Sequence, residues 1–85
     1  MCGIFGCTGE NSLSNTLRAL KLLEYRGYDS VGIGVKTDKI NVVKTVGRSQ
    51  NLPYVCPKFE HIANCIGHTR WATHGAVEAR NAHPF

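Results

Sequence analysis

A cysteine directly behind the initiator methionine is the first feature of this sequence that suggests chemistry, in the opening Met-Cys-Gly-Ile-Phe-Gly. Chain ends fray unless other residues hold them in place, whereas a structural cysteine usually lies in a core. A cysteine thiol becomes a nucleophile and a metal ligand when it loses its proton. The position of Cys2 therefore fits a reactive role better than a packing role.

A second candidate for chemistry is a group of two cysteines and two histidines, Cys56, His61, Cys65 and His68. Their spacing is C-x4-H-x3-C-x2-H, and zinc accepts such sulfur and nitrogen ligands. The spacing matches no common zinc finger or zinc knuckle. Zinc binding therefore stays the less favoured interpretation of these residues, and we predict no metal and no other cofactor.

The composition is typical of one small globular domain. The chain has 85 residues, of which 42% are hydrophobic and 19% charged, and its net charge is +4. Its lysines and arginines are spread along the chain, without a basic block and without interleaved aromatics, so nucleic-acid binding is disfavoured. An anionic small molecule or an acidic partner surface fits this diffuse positive charge.

No apolar run approaches the roughly 20 residues that span a bilayer, and the N-terminus lacks the basic and apolar regions of a secretion signal. We therefore expect no membrane contact and a cytoplasmic location. In that compartment cysteines are usually reduced. We expect free thiols at Cys2, Cys7, Cys56 and Cys65, with Cys7 as a small core residue.

The elements that must position these residues begin in the order β-α-β-β. Residues 2–8 predict a short buried strand. Leucines recur at spacings of three and four, which predicts a helix from Ser12 to about Tyr25, with Asn11 or Ser12 as its N-cap. That apolar face consists of Leu13, Leu17, Leu20 and Leu23.

Period-two alternation of apolar residues predicts a β-hairpin over residues 30–47, with Val31, Ile33 and Val35 on its packed face. Residues 49–60 predict a loop, because Pro53 and Pro57 limit any helix there to a turn or two. The segment ANCIGHTRWATHG, residues 63–75, predicts a strand that continues into a polar loop ending in glycine.

Three segments together carry a family resemblance: CGIFG at 2–6, LEYRGYDSVGIGV at 23–35 and GHTRWATHG at 67–75, with NAHP at 81–84 in addition. They resemble the N-terminal glutaminase domain of glucosamine-6-phosphate synthases, which are class II glutamine amidotransferases and N-terminal nucleophile hydrolases. Asparagine synthetases and the purine-pathway amidotransferase share the CGI start, but the other two segments distinguish the chain from them. His68 lies in the third segment, where the family binds no metal.

The resemblance implies that Cys2 is a catalytic nucleophile. Once Met1 is removed, Cys2 carries both a thiol and a free α-amine. An α-amino group has a pKa of about 7.7 to 8.0, so it can accept the thiol proton near neutral pH and return it to a leaving group. The thiolate would attack the side-chain amide of L-glutamine, release ammonia and leave a γ-glutamyl thioester that water hydrolyses to glutamate.

The resemblance also implies roles for two arginines. Arg70 matches the arginine that binds the α-carboxylate of glutamine, for which the planar guanidinium is suited. Arg26 matches a catalytic residue beside the nucleophile, where a fixed positive charge favours the thiolate. Taken alone, Arg70 is more often a solvated or paired surface arginine, and Arg26 is more often a cation that offsets the negative end of a helix dipole.

Four more residues are implied to contact the substrate. Thr73, His74 and Gly75 match positions that line the glutamine pocket, where glycine lets the loop fold closely over its ligand. Trp71 matches the tryptophan of the ammonia passage, although a lone tryptophan is more often a core or interface residue.

The implied fold class is α+β, as part of an α/β/β/α sandwich with mostly antiparallel sheets, of which this chain supplies about one helix and four strands. Residues 1–85 correspond to the N-terminal portion of the glutaminase domain. The family's later HNG segment, which supplies the oxyanion hole, a later aspartate and the isomerase domains lie outside this sequence. We expect exposed sheet edges and apolar faces, and hence self-association or pairing with the rest of a synthase.

The expected function is that of an enzyme that releases ammonia from L-glutamine for transfer to fructose 6-phosphate, giving glucosamine 6-phosphate. One alternative is a short chain that binds glutamine, or docks on a full-length synthase, without turnover. A second alternative is a degenerate reading frame without function.

Overall fold

The computed structural model describes residues 2–26, 29–71 and 82–84, and at Arg26, Tyr54 and Val55 the backbone alone. The elements are β1 (Gly3–Thr8), α1 (Ser12–Leu22), β2 (Ser30–Lys36), β3 (Ile40–Val46), α2 (Leu52–Val55) and β4 (Asn64–Arg70), with 3-10 helices at Glu24–Arg26 and Ser49–Asn51. This arrangement confirms the α+β class. No helix within the described ranges has the length and apolar character needed to cross a membrane.

The described strands form one antiparallel sheet in the order β1-β4-β2-β3. The hairpin predicted over residues 30–47 is confirmed as β2 and β3. Their registers align residues of the four strands in rows, and adjacent rows point to opposite faces of the sheet. One row is Phe5, Gly67, Ile33 and Val43, and the next is Ile4, His68, Gly32 and Lys44.

The face that carries Gly67 packs against α1 and holds the core. A Cβ on Gly67 would lie 2.7 Å from Thr16 Cγ2 and 3.0 Å from Leu20 Cδ2, so the glycine lets the helix approach the sheet closely. The predicted packed face of β2 is confirmed by its burial. The fully or almost fully buried apolar residues of the cluster are Leu20, Val31, Ile33, Val35, Leu52 and Cys65.

The helix α1 begins at Ser12, as predicted, with Asn11 as its N-cap but without a side-chain cap hydrogen bond. It ends at Leu22, so the predicted end near Tyr25 is wrong. The N–H of Leu23 donates to the carbonyls of Ala19 and Leu20, at 3.0 and 3.2 Å. This sharing of one donor is common where an α-helix tightens at its end, and a 3-10 helix follows at once.

Residues 49–60 contain a 3-10 helix and the single turn of α2, which agrees with the prediction of a loop with at most a turn or two of helix. Pro53 is tolerated because it lies in the first turn, where a backbone N–H has no partner within the helix. Glu24 holds the start of this segment. Its Oε1 accepts hydrogen bonds from the backbone N–H and the hydroxyl of Ser49, at 3.1 and 2.8 Å.

We call the opposite face of the sheet, formed by the even-numbered residues of the four strands, the open face. No helix of the described residues covers it, and it exposes Ile4 by 77%, Ile40 by 74% and Ile66 by 52%. The segment 82–84 lies across it, above β2. A Cβ on Gly32 would overlap the carbonyl of His83, and a Cβ on Gly34 would lie 3.3 Å from Pro84 Cγ. The expected exposure of an apolar face is therefore present.

Candidate active site

The candidate site lies at the end of the sheet where β1 begins, β4 ends and β2 begins. The register of β1 and β4 pairs Gly3 with Thr69, so one residue further along Cys2 lies opposite Arg70. The register of β2 and β4 pairs Ser30 with that same arginine. Antiparallel pairing thus brings together the start of the chain and the GHTRW segment, which are far apart in sequence.

Cys2 is exposed and directly precedes β1. The alternation of side chains along β1, continued by one residue, places Cys2 on the open face with Ile4. Its thiol is therefore accessible at the end of the sheet, as a nucleophile must be. Met1 lies outside the described residues.

Arg70 is the last residue of β4, and only 8% of it is exposed. The backbone N–H of Asp29 donates to the carbonyl of Arg70 at 3.0 Å, which fixes the end of this strand against the start of β2. A charged group this deeply buried is normally paired or hydrogen bonded. A guanidinium held in a fixed place is suited to bidentate binding of a carboxylate.

His68 lies two residues before Arg70 on the open face, and we did not predict it as a site residue. Its ring contacts His83 edge-on, with centroids 4.5 Å apart and an interplanar angle of 64°. Burial, followed by the nearby His83 and Arg70, lowers the pKa of His68 below its ordinary value of 6.5. The imidazole is thus neutral at neutral pH. Period-two alternation in GHTRW was the signal that places it beside Arg70.

Two buried polar atoms of the open face have no hydrogen-bond partner among the residues that the structure describes, namely Nδ1 of His68 and the hydroxyl oxygen of Ser30. Ser30 is fully buried and stands directly opposite Arg70 in the sheet. A buried polar atom without a partner costs free energy, so each such atom in a native structure calls for an explanation. Ser30 also was not predicted, because a serine at the start of a strand carries no distinctive pattern.

Arg26 is described by its backbone alone, in the 3-10 helix Glu24–Arg26, and this helix contacts β4. The hydroxyl of Thr69 donates to the carbonyl of Leu23 at 3.3 Å, which ties the end of α1 to the end of β4. The backbone of Arg26 is therefore held at the same end of the molecule as Arg70. The structure does not describe the side chain of Arg26.

Trp71 follows β4 directly and is 48% exposed, so it is available to a ligand or to another part of a larger protein. Thr73, His74 and Gly75 lie outside the described residues. Their assignment to the glutamine pocket stays a prediction from the resemblance.

An open groove of about 860 Å³ runs along the open face and begins one row inward from Cys2 and Arg70. Its size falls within the roughly 300 to 1,000 Å³ of small-molecule sites. Cys2 and Arg70 stand at its end and are not among its lining residues. The lining includes Ile4, Ile66, His68, His83 and Pro84.

The cysteine–histidine group considered for zinc does not converge. Cys65 and His68 are three residues apart on β4, so they point to opposite faces of the sheet. Cys65 lies in the core beneath α1, whereas His68 lies on the open face. Within the described ranges, no three or more histidine, cysteine or acidic residues are arranged to hold a metal ion.

Comparison with known proteins identifies relatives of the whole chain. It is 49% identical over 85 residues to a glutamine–fructose-6-phosphate aminotransferase (isomerizing) of Methanosarcina acetivorans. Enzymes of the same name from Fusobacterium nucleatum and Cyanidium caldarium are 48% identical over 89 residues and 52% identical over 91 residues. Each match covers 99% of this chain. Along its whole length the chain is therefore similar to the N-terminal part of these aminotransferases.

The match to the aminotransferases is confined to their N-terminal end, and the chain spans 14% of the length of these relatives. No protein-family model matches the chain. The resemblance and the enzyme family are therefore confirmed for an N-terminal part of such an aminotransferase. The roles of individual residues rest on the geometry above and on the resemblance.

Proposed function

We propose that this chain is the N-terminal part of a glutaminase in which Cys2 attacks the side-chain amide of L-glutamine. The observation that carries the proposal is the register of β1 and β4, which, extended by one residue, brings Cys2 just before β1 opposite Arg70 at the end of β4. Neighbouring strands lie about 4.8 Å apart. A nucleophile and a carboxylate-binding group at such separation suit the two ends of one amino-acid substrate.

In this mechanism the free α-amine of Cys2, exposed by loss of Met1, takes the thiol proton. The sulfur then bonds to the amide carbon, and ammonia departs with the returned proton. Water hydrolyses the γ-glutamyl thioester and frees Cys2. A positive charge at Arg26, whose backbone lies at this end of the sheet, would favour the thiolate.

Arg70 holds the α-carboxylate of glutamine in this scheme, through two parallel N–H donors. The buried setting strengthens such hydrogen bonds, because water competes less. The neutral His68 contributes by adding no second positive charge beside Arg70. The family resemblance implies that Thr73, His74 and Gly75 complete the glutamine pocket and that Trp71 borders the path of ammonia.

The names of the relatives suggest what the whole enzyme does with the ammonia. In the protein that carries this segment, ammonia from glutamine passes to fructose 6-phosphate and yields glucosamine 6-phosphate. A cytoplasmic location stays a prediction from the sequence.

A second candidate function is docking, or glutamine binding, without turnover. The observation that favours it is the open face, whose exposed isoleucines suit contact with further polypeptide. Self-association and pairing with the rest of a synthase both belong to this candidate.

Glutamate release from L-glutamine tests the proposed function in the protein that carries this segment. We expect Cys2→Ala to abolish release. Arg70→Lys should raise KM for glutamine by about ten- to a hundredfold, because a hydrogen bond to a charged group contributes roughly 1.5 to 3 kcal/mol. Arg18→Lys on the exposed side of α1 is the matched control and should leave KM unchanged. Equal release by wild type and Cys2→Ala would favour the second candidate.

A further inference from the structure

Two cysteines that the proposed reaction does not use face each other across the sheet. The register of β1 and β4 places Cys7 directly opposite Cys65. Both residues belong to the rows that face α1, and both are free thiols. Cys65 is fully buried, whereas Cys7 is half-buried because β1 is the edge strand of the described sheet. The expectation that Cys7 lies in the core is wrong for this reason.

The spacing of the two backbones fits a disulfide. The N–H of Gly9 donates to the carbonyl of Ala63 at 2.8 Å, which marks a hydrogen-bonded pair in the ladder. Such pairs alternate along the strands, so Cys7 and Cys65 form another one, with Cα atoms about 5.5 Å apart. Disulfides span Cα separations of about 4.4 to 6.8 Å.

The Cβ atoms of Cys7 and Cys65 must move slightly closer together before a disulfide can form. Directly opposite residues have Cβ atoms about 4.5 to 5.5 Å apart, whereas a disulfide needs about 3.5 to 4.5 Å. An approach of about 1 Å closes this difference. Because β1 has a described neighbour on one side only, it can shift toward β4 without breaking a second ladder.

The surroundings of the two sulfurs differ, and this difference determines that Cys7 reacts before Cys65. The amide nitrogen of Asn15 lies 3.9 Å from the Cys7 sulfur, and this half-buried thiol is within reach of a small oxidant. Burial raises the pKa of the Cys65 thiol; the Thr16 side chain opposes this effect in part, and the nearby Cys56 and Cys7 add to it. Because Cys65 is fully buried, we expect it to react only after the more exposed Cys7.

We propose that Cys7 and Cys65 are a redox-responsive pair that hydrogen peroxide converts into a cross-strand disulfide. The Cys7 thiolate attacks one peroxide oxygen, which forms an S–O bond, breaks the O–O bond and releases hydroxide. The Cys65 sulfur then gives up its proton and attacks the Cys7 sulfur, which forms the S–S bond and releases the second oxygen as water. The two thiols lose two electrons and two protons, and peroxide becomes two waters.

The bond would link the edge strand that begins next to Cys2 to the strand that ends at Arg70. A disulfide closed by moving a strand is strained, and strained disulfides are readily reduced. Glutathione should therefore reverse it. Cys56 is the competing partner, but it lies in the loop after α2 and no ladder holds it opposite Cys65.

Peptide mapping after peroxide treatment tests the pair, in a Cys2→Ala background that removes the exposed terminal thiol. We expect one cross-link within the chain between Cys7 and Cys65, loss of two of three free thiols, and full recovery with glutathione. Cys56→Ser should retain the cross-link, and Cys7→Ser and Cys7→Ala should both abolish it. A Cys56–Cys65 bond, cross-links only between chains, or sulfinic acid at Cys7 beside an unmodified Cys65 would overturn the proposal.

Discussion

One imidazole at the end of the sheet is partly buried and lies near basic residues. His68 shares the open face with Arg70 on its own strand, with Lys44 in its own row and with His83 of the segment 82–84. No acidic residue belongs to this face of the described strands. Burial disfavours the charged form of His68, and the nearby His83 and Arg70 add to this effect, so the pKa of His68 is lowered.

The free energy of unfolding should depend on pH through His68. Its pKa in the folded protein lies below the ordinary value of 6.5, so as pH falls the unfolded chain binds the proton first. We expect full stability above about pH 6.5, and a decrease as pH drops through the folded pKa. Denaturant titrations across this range measure the effect.

The matched variant for this prediction is His68→Gln, which removes the titrating ring and keeps a polar group. It should lower the pH dependence of unfolding in the range where His68 titrates. An unchanged pH dependence in the variant would show that other groups cause it.

Segment 82–84 packs closely on strand β2 because two residues of β2 are glycines and have no side chain in the way. Gly32 and Gly34 leave the space that the backbone of His83 and the ring of Pro84 occupy. The contact of His83 with His68 fixes the same segment from the side of β4. This segment therefore forms one wall of the groove beside the candidate site.

Gly32→Ala should destabilise this arrangement, because the new methyl group would overlap the carbonyl of His83. We expect a loss of about 1 to 3 kcal/mol in the free energy of unfolding, as is usual for overpacking. Gly6→Ala is the control on the same face, where the new Cβ would lie 3.7 Å from Ile66. Similar losses in the free energy of unfolding for both variants would contradict the packing of segment 82–84 against Gly32.

Local pattern was sufficient for β2 and α1, whose large apolar side chains recur at the period of a strand and of a helix. The alternation of Val31, Ile33 and Val35 and the leucine spacing of α1 follow from packing against one core, so the sequence predicts them well. The early end of α1 and the helical turn after Ser49 are joined by Glu24, which accepts hydrogen bonds from Ser49 across a long sequence separation. Such contacts have no local signal.

The candidate site was predictable in part for the same reason. Cys2 and Arg70 were identified from their residue types and the family resemblance, but their proximity depends on a strand register that no local pattern fixes. His68 and Ser30 join them only once the order β1-β4-β2 is known.

In the molecule as a whole, one face of the sheet is covered and the other is exposed. α1 and the core cover the first, whereas the open face retains exposed isoleucines and a groove of about 860 Å³. Sheets with one apolar face exposed tend to associate. The open face is therefore suited to packing against further polypeptide.

Ile4→Lys should reduce association of the isolated chain, because Ile4 is 77% exposed on the open face. Leu22→Lys is the control, since Leu22 is 78% exposed but lies at the end of α1. We expect sedimentation to show concentration-dependent association for wild type and Leu22→Lys, and a shift toward monomer for Ile4→Lys. Equal association of the two variants would place the contact elsewhere.

The central claim is that Cys2, with its own α-amine, is the nucleophile toward glutamine. Intact mass measured before and after exposure to a glutamine-like diazo ketone tests it most directly. The account predicts a chain without Met1 that gains one adduct on Cys2, and no adduct in Cys2→Ala. A chain that lacks Met1 but gains no adduct, or that is labelled equally at Cys7 or Cys56, would contradict it.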